Sequence, residues 1–187
     1  MKINKNWHEL EGWFDYESLY ERIARDNKNS IFVEVGSWLG KSVAFLATIS
    51  ESNNNNNKIY AVDTWDGLDP NYMEEAKKRH NKPSIYDIFK DNMNDCGFKD
   101  IVTPIVSCSC EAASKFEDKS CDFIFIDADH TYESVKKDIL AWYPKLKDNG
   151  TLAGHDIFAD QIKQAATDAL ATFNKNWHQD GSCWIMS

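Results

Sequence analysis

The sequence lacks the features that mark several protein classes. Its five cysteines are an odd number and include no C-x-x-C pair, so they do not form the disulfide framework of a small secreted protein. It shows no apolar run long enough to cross a bilayer and no signal peptide. We therefore expect a protein of a reducing compartment, the cytoplasm, with no membrane partner.

Basic residues are also in the minority. The 187-residue chain has 21 Lys and Arg against 30 Asp and Glu, which gives a formal net charge of −9 at pH 7. Nucleic-acid backbones bind basic surfaces, so this charge argues against nucleic acid as the main partner. The length and the hydrophobic content of 42% are those of one ordinary globular domain, which we expect over residues 1–187.

A glycine turn follows an apolar strand near the N-terminus. The stretch from Ile31 to Ser42 reads Ile-Phe-Val-Glu-Val-Gly-Ser-Trp-Leu-Gly-Lys-Ser. Gly36 and Gly40 favour a tight turn into a helix and close approach of a ligand or of that helix. Asp63 ends a second apolar run, 27 residues after Gly36. Because carboxyl ends of parallel strands meet at one sheet edge, this spacing predicts a nucleoside ligand whose ribose hydroxyls bind Asp63.

Two other nucleotide-binding motifs share part of this pattern. A dinucleotide fingerprint has three glycines in G-x-G-x-x-G, whereas position 38 is Trp. A phosphate loop has four residues between its glycines, and this turn has three. Glu34 would also point a carboxylate towards phosphates of the same charge. A phosphate-loop nucleotide hydrolase stays as an alternative, and so does a catalytically silent cofactor-binding module.

Strand and helix patterns alternate along the rest of the chain. The periodicity predicts helices over 16–27, 40–50, 84–95, 132–145 and 161–173, and strands over 59–62, 101–106, 121–126, 151–154 and 183–186. This alternation is typical of a doubly wound α/β domain with helices on both faces. Residues 1–29 would form an N-terminal helical extension. Residues 64–83 would form a mobile segment on the substrate side.

Four blocks of the sequence resemble the class I S-adenosylmethionine-dependent methyltransferases. The likeness covers residues 30–187 and is closest to macrocin-type sugar O-methyltransferases and cephalosporin-hydroxylase-like proteins. It implies a Rossmann-like, mostly parallel seven-stranded sheet with an antiparallel closing strand. The blocks are Glu34-x-Gly36-x-x-x-Gly40, Asp63, Ile126-Asp127-Ala128-Asp129-His130-Thr131-Tyr132 and Asn149-Gly150-Thr-Leu-Ala-Gly-His155-Asp156.

The resemblance also implies a cofactor site for S-adenosylmethionine. Its methionine part would lie by Glu34 and Gly36, and its ribose by Asp63. Its adenine would lie by the turn at Cys108 and Ser109. The remaining cofactor-binding residues implied by the match are Ser37, Gly40, Ser42, Thr64 and Asp127.

A divalent metal is a second implied ligand. Many of these relatives bind one through residues that match Asp127, His155 and Asp156. Since His155 offers nitrogen where relatives offer oxygen, the ion could be Mn, Fe or Mg, with Mg the least natural of the three. Asp127, His130 and His155 are the candidate catalytic residues, because a hydroxyl acceptor needs a metal or a base to become a nucleophile. In another interpretation, His130 only fixes its loop.

These implications together predict an enzyme that methylates the oxygen of a small hydroxylated acceptor, such as a sugar, with metal assistance. A sulfonium methyl group is already activated, so most of the catalysis would be positioning. Whether the chain forms a homo-oligomer stays open.

Overall fold

The structure is a computed structural model that describes residues 5–67 and 69–187. Its strands form one mixed sheet in the order β3-β2-β1-β4-β5-β7-β6. Strands β1 to β5 are parallel, and β7 runs antiparallel to both β5 and β6. The expected mostly parallel, seven-stranded, Rossmann-like sheet is therefore confirmed. The strands are β1 Ile31–Val35, β2 Lys58–Asp63, β3 Val102–Val106, β4 Cys121–Ile126, β5 Leu146–Gly154, β6 Trp177–Asp180 and β7 Cys183–Met186.

Helices cover both faces of this sheet. Alternating strand residues such as Phe123 and Ile124 point to opposite faces, so each face carries its own apolar core. Helices α1, α2 and α4 pack on one face, and α5, α6 and α7 on the other. Within the described residues, no helix is long and apolar enough to cross a membrane. The helices are α1 Glu17–Asp26, α2 Lys41–Ser52, α3 Pro70–His80, α4 Ile85–Asp95, α5 Ser109–Ala113, α6 Tyr132–Trp142 and α7 Asp160–Ala171.

Local sequence explains where several helices begin. Asp69 caps α3 by accepting a hydrogen bond from the Asn71 backbone N–H, and proline occupies the first helical position. Thr131 caps α6 through the Ser134 N–H, as its position before the helix predicts. Strand β6 had no sequence prediction of its own. Three of its four residues are polar, and it pairs only with β7, so the hairpin rather than local propensity makes it a strand.

Two segments flank the carboxyl edge of the sheet. The N-terminal extension contains a short 3₁₀ turn, Trp7–Glu9, and helix α1, with residues 1–4 outside the described residues. Segment 64–83 contains α3, and Leu68 lies outside the described residues. Its mobility stays a prediction. The strand order reverses between β1 and β4, which is where open α/β sheets bind ligands.

Candidate active site

A cavity of about 1050 Å³ lies at the carboxyl ends of β1, β2, β4 and β5. The final residues of parallel strands lie at the same edge of the sheet, so residues distant in sequence meet there. Every site residue expected from the sequence lines this cavity except Glu34. Those that do are Gly36, Ser37, Gly40, Ser42, Asp63, Thr64, Cys108, Ser109, Asp127, His130, His155 and Asp156.

Asp63 is held rigidly at the end of β2. Its two carboxylate oxygens accept hydrogen bonds from the backbone N–H groups of Trp38 (2.8 Å) and Trp65 (2.7 Å). The Trp65 indole N–H donates in turn to the Trp38 carbonyl at 2.7 Å. Burial raises the pKa of Asp63, and these backbone N–H groups oppose that rise. A carboxylate has about four acceptor positions, so both oxygens can still accept hydrogen bonds from a ribose diol.

The turn after β1 explains why position 36 is glycine. The sequence predicts a tight turn and close approach of a ligand there, and the ligand contact stays a prediction. A Cβ at Gly36 would lie 2.0 Å from the carbonyl oxygen of Asp127, and the backbone φ is +94°. The glycine is therefore required by the protein's own backbone after β4. Gly40, with φ +86°, packs against α4 rather than against the helix that follows it, since its Cβ would lie 2.6 Å from the Met93 methyl group on α4.

Glu34 lies behind the cavity rather than in its wall. Its side chain is 1% exposed, and it accepts a 2.6 Å hydrogen bond from the Tyr20 hydroxyl. Burial raises its pKa to about 7. Glu34 Oε1, Ser37 Oγ and Trp38 Nε1 are buried and have no hydrogen-bond partner among the described residues. This turn therefore fits a polar ligand such as the amino acid part of S-adenosylmethionine, which could supply those partners.

The turn between β3 and α5 forms another wall of the cavity. Cys108 and Ser109 line it, and the Ser109 hydroxyl accepts a 2.9 Å hydrogen bond from the Trp142 indole. Facing them is Asp138 on α6, which is 5% exposed and whose pKa burial raises to about 6. Asp138 was not predicted from the sequence. Ser134, another cavity residue, lies four residues before Asp138, so the two side chains share one face of α6. This spacing is the sequence signal that corresponds to Asp138.

Two carboxylates and two imidazoles meet at the ends of β4 and β5. Single ligand atoms of Asp127, His130 and Asp156 lie within 4.8 Å of one another. His130 Nε2 is 3.4 Å from Asp127 Oδ1 and 3.2 Å from Asp156 Oδ2. His155 Nδ1 is 3.6 Å and 3.3 Å from the same two oxygens. The group of close ligand atoms therefore contains His130, to which the sequence assigned a catalytic role alone, and does not include the expected ligand His155.

The electrostatics of this cluster follow from its composition. Burial opposes protonation of His155, but hydrogen bonding to Asp127 and Asp15 raises its pKa to about 9. Hydrogen bonding to Asp127 also raises the pKa of His130. Burial would raise the pKa of Asp127, but its contacts with both imidazoles lower it below the usual range. The carboxylates of the cluster thus favour the protonated form of each imidazole, and the imidazoles favour the ionised form of Asp127.

The N-terminal extension contributes cavity residues that the sequence did not predict. Trp13, Asp15 and Tyr16 line the wall beside the carboxylate and imidazole cluster. The run Trp13-Phe-Asp-Tyr16 immediately before α1 is the sequence signal that corresponds to them. It is weak, because aromatic residues in such a position pack into cores more often than they line sites.

The chain was compared with protein families. A family model described as a methyltransferase domain matches residues 33–157. The matched region begins in β1 and ends just after β5, so it contains the glycine turn, Asp63 and the carboxylate and imidazole cluster. The match favours the methyltransferase interpretation over the phosphate-loop hydrolase.

Solved structures share the fold at low sequence identity. A protein described as a caffeoyl-CoA O-methyltransferase from Staphylococcus aureus is 18% identical, with a TM-score of 0.67 over 96% of this chain and 86% of that one. A precorrin-6y C5,15-methyltransferase from Geobacter metallireducens is 12% identical, with a TM-score of 0.67 over 98% and 95%. An S-adenosylmethionine-dependent O-methyltransferase from Thermotoga maritima is 16% identical, with a TM-score of 0.61 over 96% and 67%.

Proposed function

We propose an acceptor class and a mechanism for this chain, which belongs to the methyltransferase-domain family and to the class I S-adenosylmethionine-dependent methyltransferases. It transfers a methyl group from S-adenosylmethionine to the oxygen of a small hydroxylated acceptor, such as a sugar, with assistance from a divalent metal. The observation that carries this proposal is the continuity of one cavity from Asp63 to the cluster of Asp127, His130, His155 and Asp156.

The chain's own residues would act mainly by positioning. Asp63 would hold the ribose, and the turn at Ser37 and Trp38 would hold the amino acid part of the cofactor. The sulfonium methyl group needs no further activation, so alignment of the acceptor oxygen with it accounts for most of the rate enhancement. The cluster of Asp127, His130, His155 and Asp156 would bind the acceptor hydroxyl next to the methyl group and control its proton.

The donor set of the cluster fits a divalent ion. Asp127 and Asp156 offer carboxylate oxygens, and His130 and His155 each present a ring nitrogen to those same oxygens. Mixed nitrogen and oxygen ligands suit Mn, Fe or Zn better than Mg. A bound divalent ion would lower the pKa of the acceptor hydroxyl. With a pKa of about 9, His155 is protonated at pH 7 without an ion, so a bound ion would displace that proton. The metal-free alternative has His130 or His155 as a general base.

The charge of the cavity supports an acceptor without negative charge. Among the described residues, seven carboxylates line the cavity, together with two lysines, Lys41 and Lys137, and two histidines, His130 and His155. The carboxylates would attract the cationic sulfonium cofactor and repel anionic acceptors. A nucleoside triphosphate would meet the same repulsion. The carboxylates are Glu11, Asp15, Asp63, Asp127, Asp129, Asp138 and Asp156.

Turnover with labelled S-adenosylmethionine tests the proposal. A panel of neutral sugars, catechols and nucleosides should include an acceptor that gains the methyl group. EDTA should suppress that turnover while leaving the affinity for S-adenosylhomocysteine within about twofold, because the metal would bind the acceptor. Mn²⁺ should restore activity better than Mg²⁺.

Matched variants give this experiment its control. Asp156→Asn should lose most turnover, whereas Asp148→Asn should keep it, since Asp148 is an exposed acid far along β5. Full activity in excess EDTA would contradict the metal assistance. Cofactor binding without any methyl transfer would favour the catalytically silent module.

A further inference from the structure

Two consecutive residues of the N-terminal extension contact the carboxylate and imidazole cluster. Asp15 Oδ1 accepts a hydrogen bond from His155 Nε2 at 2.9 Å. The Tyr16 hydroxyl donates to Asp127 Oδ2 at 3.4 Å, and the Tyr16 ring lies 5.0 Å from the His155 ring. One short segment therefore contacts a cluster residue at the end of each of two strands, β4 and β5.

Both contacts use the atom that points away from the centre of the cluster. Asp15 binds Nε2 of His155, so Nδ1 is the ring nitrogen that faces Asp127 and Asp156. Tyr16 binds Oδ2 of Asp127, so Oδ1 is the oxygen that faces both imidazoles. A carboxylate that binds the outer nitrogen of a ligating histidine fixes the orientation of the ring and increases its basicity. A hydroxyl on the outer oxygen likewise limits a carboxylate to one inward-facing atom.

Asp15 is itself held in place from another part of the fold. The hydroxyl of Ser182, which is 9% exposed, donates to Asp15 Oδ1 at 2.7 Å. Ser182 precedes β7, so the C-terminal hairpin supports the N-terminal extension at this point.

Asp15, Tyr16 and Ser182 all lie outside the residues that match the methyltransferase family model. We propose that Asp15 and Tyr16 are positioning residues that orient His155 and Asp127 for a divalent ion, so that the N-terminal extension completes the metal site. This inference rests on the metal assistance proposed above. It assigns the extension a chemical role in addition to its packing of α1 against α2.

Manganese binding, measured by the electron paramagnetic resonance signal of free Mn²⁺, tests the inference without an acceptor. Asp15→Ala should weaken Mn²⁺ binding at least about tenfold, as expected for loss of the outer partner of a ligating histidine. Asp15→Asn should retain most of the affinity, because an amide oxygen can still accept from the His155 N–H. Tyr16→Phe keeps the buried ring and should weaken binding several-fold.

Two control variants and a second ligand separate positioning from folding. Glu17→Ala removes an exposed acid two residues away, and Tyr60→Phe removes the hydroxyl of a ring that packs against Phe116. Both should leave Mn²⁺ binding unchanged. All variants should bind S-adenosylhomocysteine within about twofold of the wild type, because the hydrogen bonds of Asp15 and Tyr16 go to His155 and Asp127 rather than to Asp63.

The outcomes distinguish this inference from the proposed function. Wild-type Mn²⁺ affinity in both Asp15→Ala and Tyr16→Phe would overturn the positioning role and leave the metal site standing. A wild-type protein that binds S-adenosylhomocysteine but not Mn²⁺ would overturn the metal site and this inference with it. Failure to bind S-adenosylhomocysteine would instead contradict the proposed cofactor.

Discussion

Glu34 shows at the scale of one residue how burial controls protonation. Its side chain is 1% exposed behind the turn that follows β1, and burial raises its pKa from 4.5 to about 7. The folded state therefore holds this proton more tightly than the unfolded state does. Its contribution to the free energy of unfolding is greatest below pH 4.5 and is lost as the pH rises to about 7.

We predict that Glu34→Gln does not lose this contribution to the free energy of unfolding as the pH rises, because glutamine does not titrate. The shift corresponds to a contribution on the order of 3 kcal/mol that disappears between pH 4.5 and 7. Urea unfolding at several pH values should show that the difference in free energy of unfolding between wild type and variant changes between pH 4.5 and 7. Glu51→Gln, at an exposed position on α2, should follow the wild type. Parallel pH dependence of wild type and Glu34→Gln would show that Glu34 does not titrate as described.

Asp63 combines a proposed binding role with a structural one. Asp63→Ala would remove charge-assisted hydrogen bonds to ribose, each worth about 1.5 to 3 kcal/mol. We predict at least tenfold weaker binding of S-adenosylhomocysteine by calorimetry. The variant should also unfold more easily, because the backbone N–H groups of Trp38 and Trp65 lose their acceptor. The control is Asp66→Ala, at an exposed position nearby, which should keep the affinity and stability of the wild type. Unchanged affinity in folded Asp63→Ala would reject the ribose assignment.

Helix α3 is an element with a small apolar anchor. Ala76 is its buried residue, and Tyr72 stacks between Trp13 and Trp38 with ring-centroid distances of 5.5 Å and 5.4 Å. Arg79 and His80 of α3 also contact Glu11 of the N-terminal extension. Few apolar contacts and exposed ion pairs are typical of an element that opens locally.

We predict that Tyr72→Ala increases this local opening. Aromatic pairs contribute about 0.5 to 1.5 kcal/mol each, so amide hydrogen exchange across Pro70–His80 should become about tenfold faster. Tyr72→Phe preserves the stacked ring and should exchange like the wild type. Exchange rates in β4 should stay unchanged in both variants. Equal protection of α3 in Tyr72→Ala would show that the aromatic stack does not hold this helix.

At the scale of the whole molecule, cofactor binding should stabilise the fold. The cavity is built from four strands on both sides of the switch point, so a ligand there contacts both halves of the sheet. We predict that S-adenosylhomocysteine at 100 times its Kd adds about 2.7 kcal/mol and raises Tm by roughly 5 to 10 °C. ATP should give no comparable shift, because the cavity is rich in carboxylates. A larger shift with ATP would revive the hydrolase alternative.

Much of the fold could be predicted because its signals are local. Apolar runs ending at Val35, Val62 and Ile126 indicate buried strands, and the residues after them must lie at one sheet edge. The position of Asp63 therefore predicts that it lies at this edge, whereas the family resemblance implies the role of Asp127. Strand β6 was missed, because its pairing with β7 rather than its own composition makes it a strand.

The tertiary structure alone decided which groups meet. A sequence shows that Gly36 lacks a side chain, but only the fold shows that the carbonyl of Asp127 occupies that space. It likewise brings His130 to the same carboxylate oxygens as His155, and Asp15 to a histidine 140 residues away. Such contacts depend on how strands and loops from distant parts of the chain pack, and local periodicity carries no information about them. The sequence determined the α/β fold class and the edge of the sheet where a site is expected, whereas packing determined which side chains meet there.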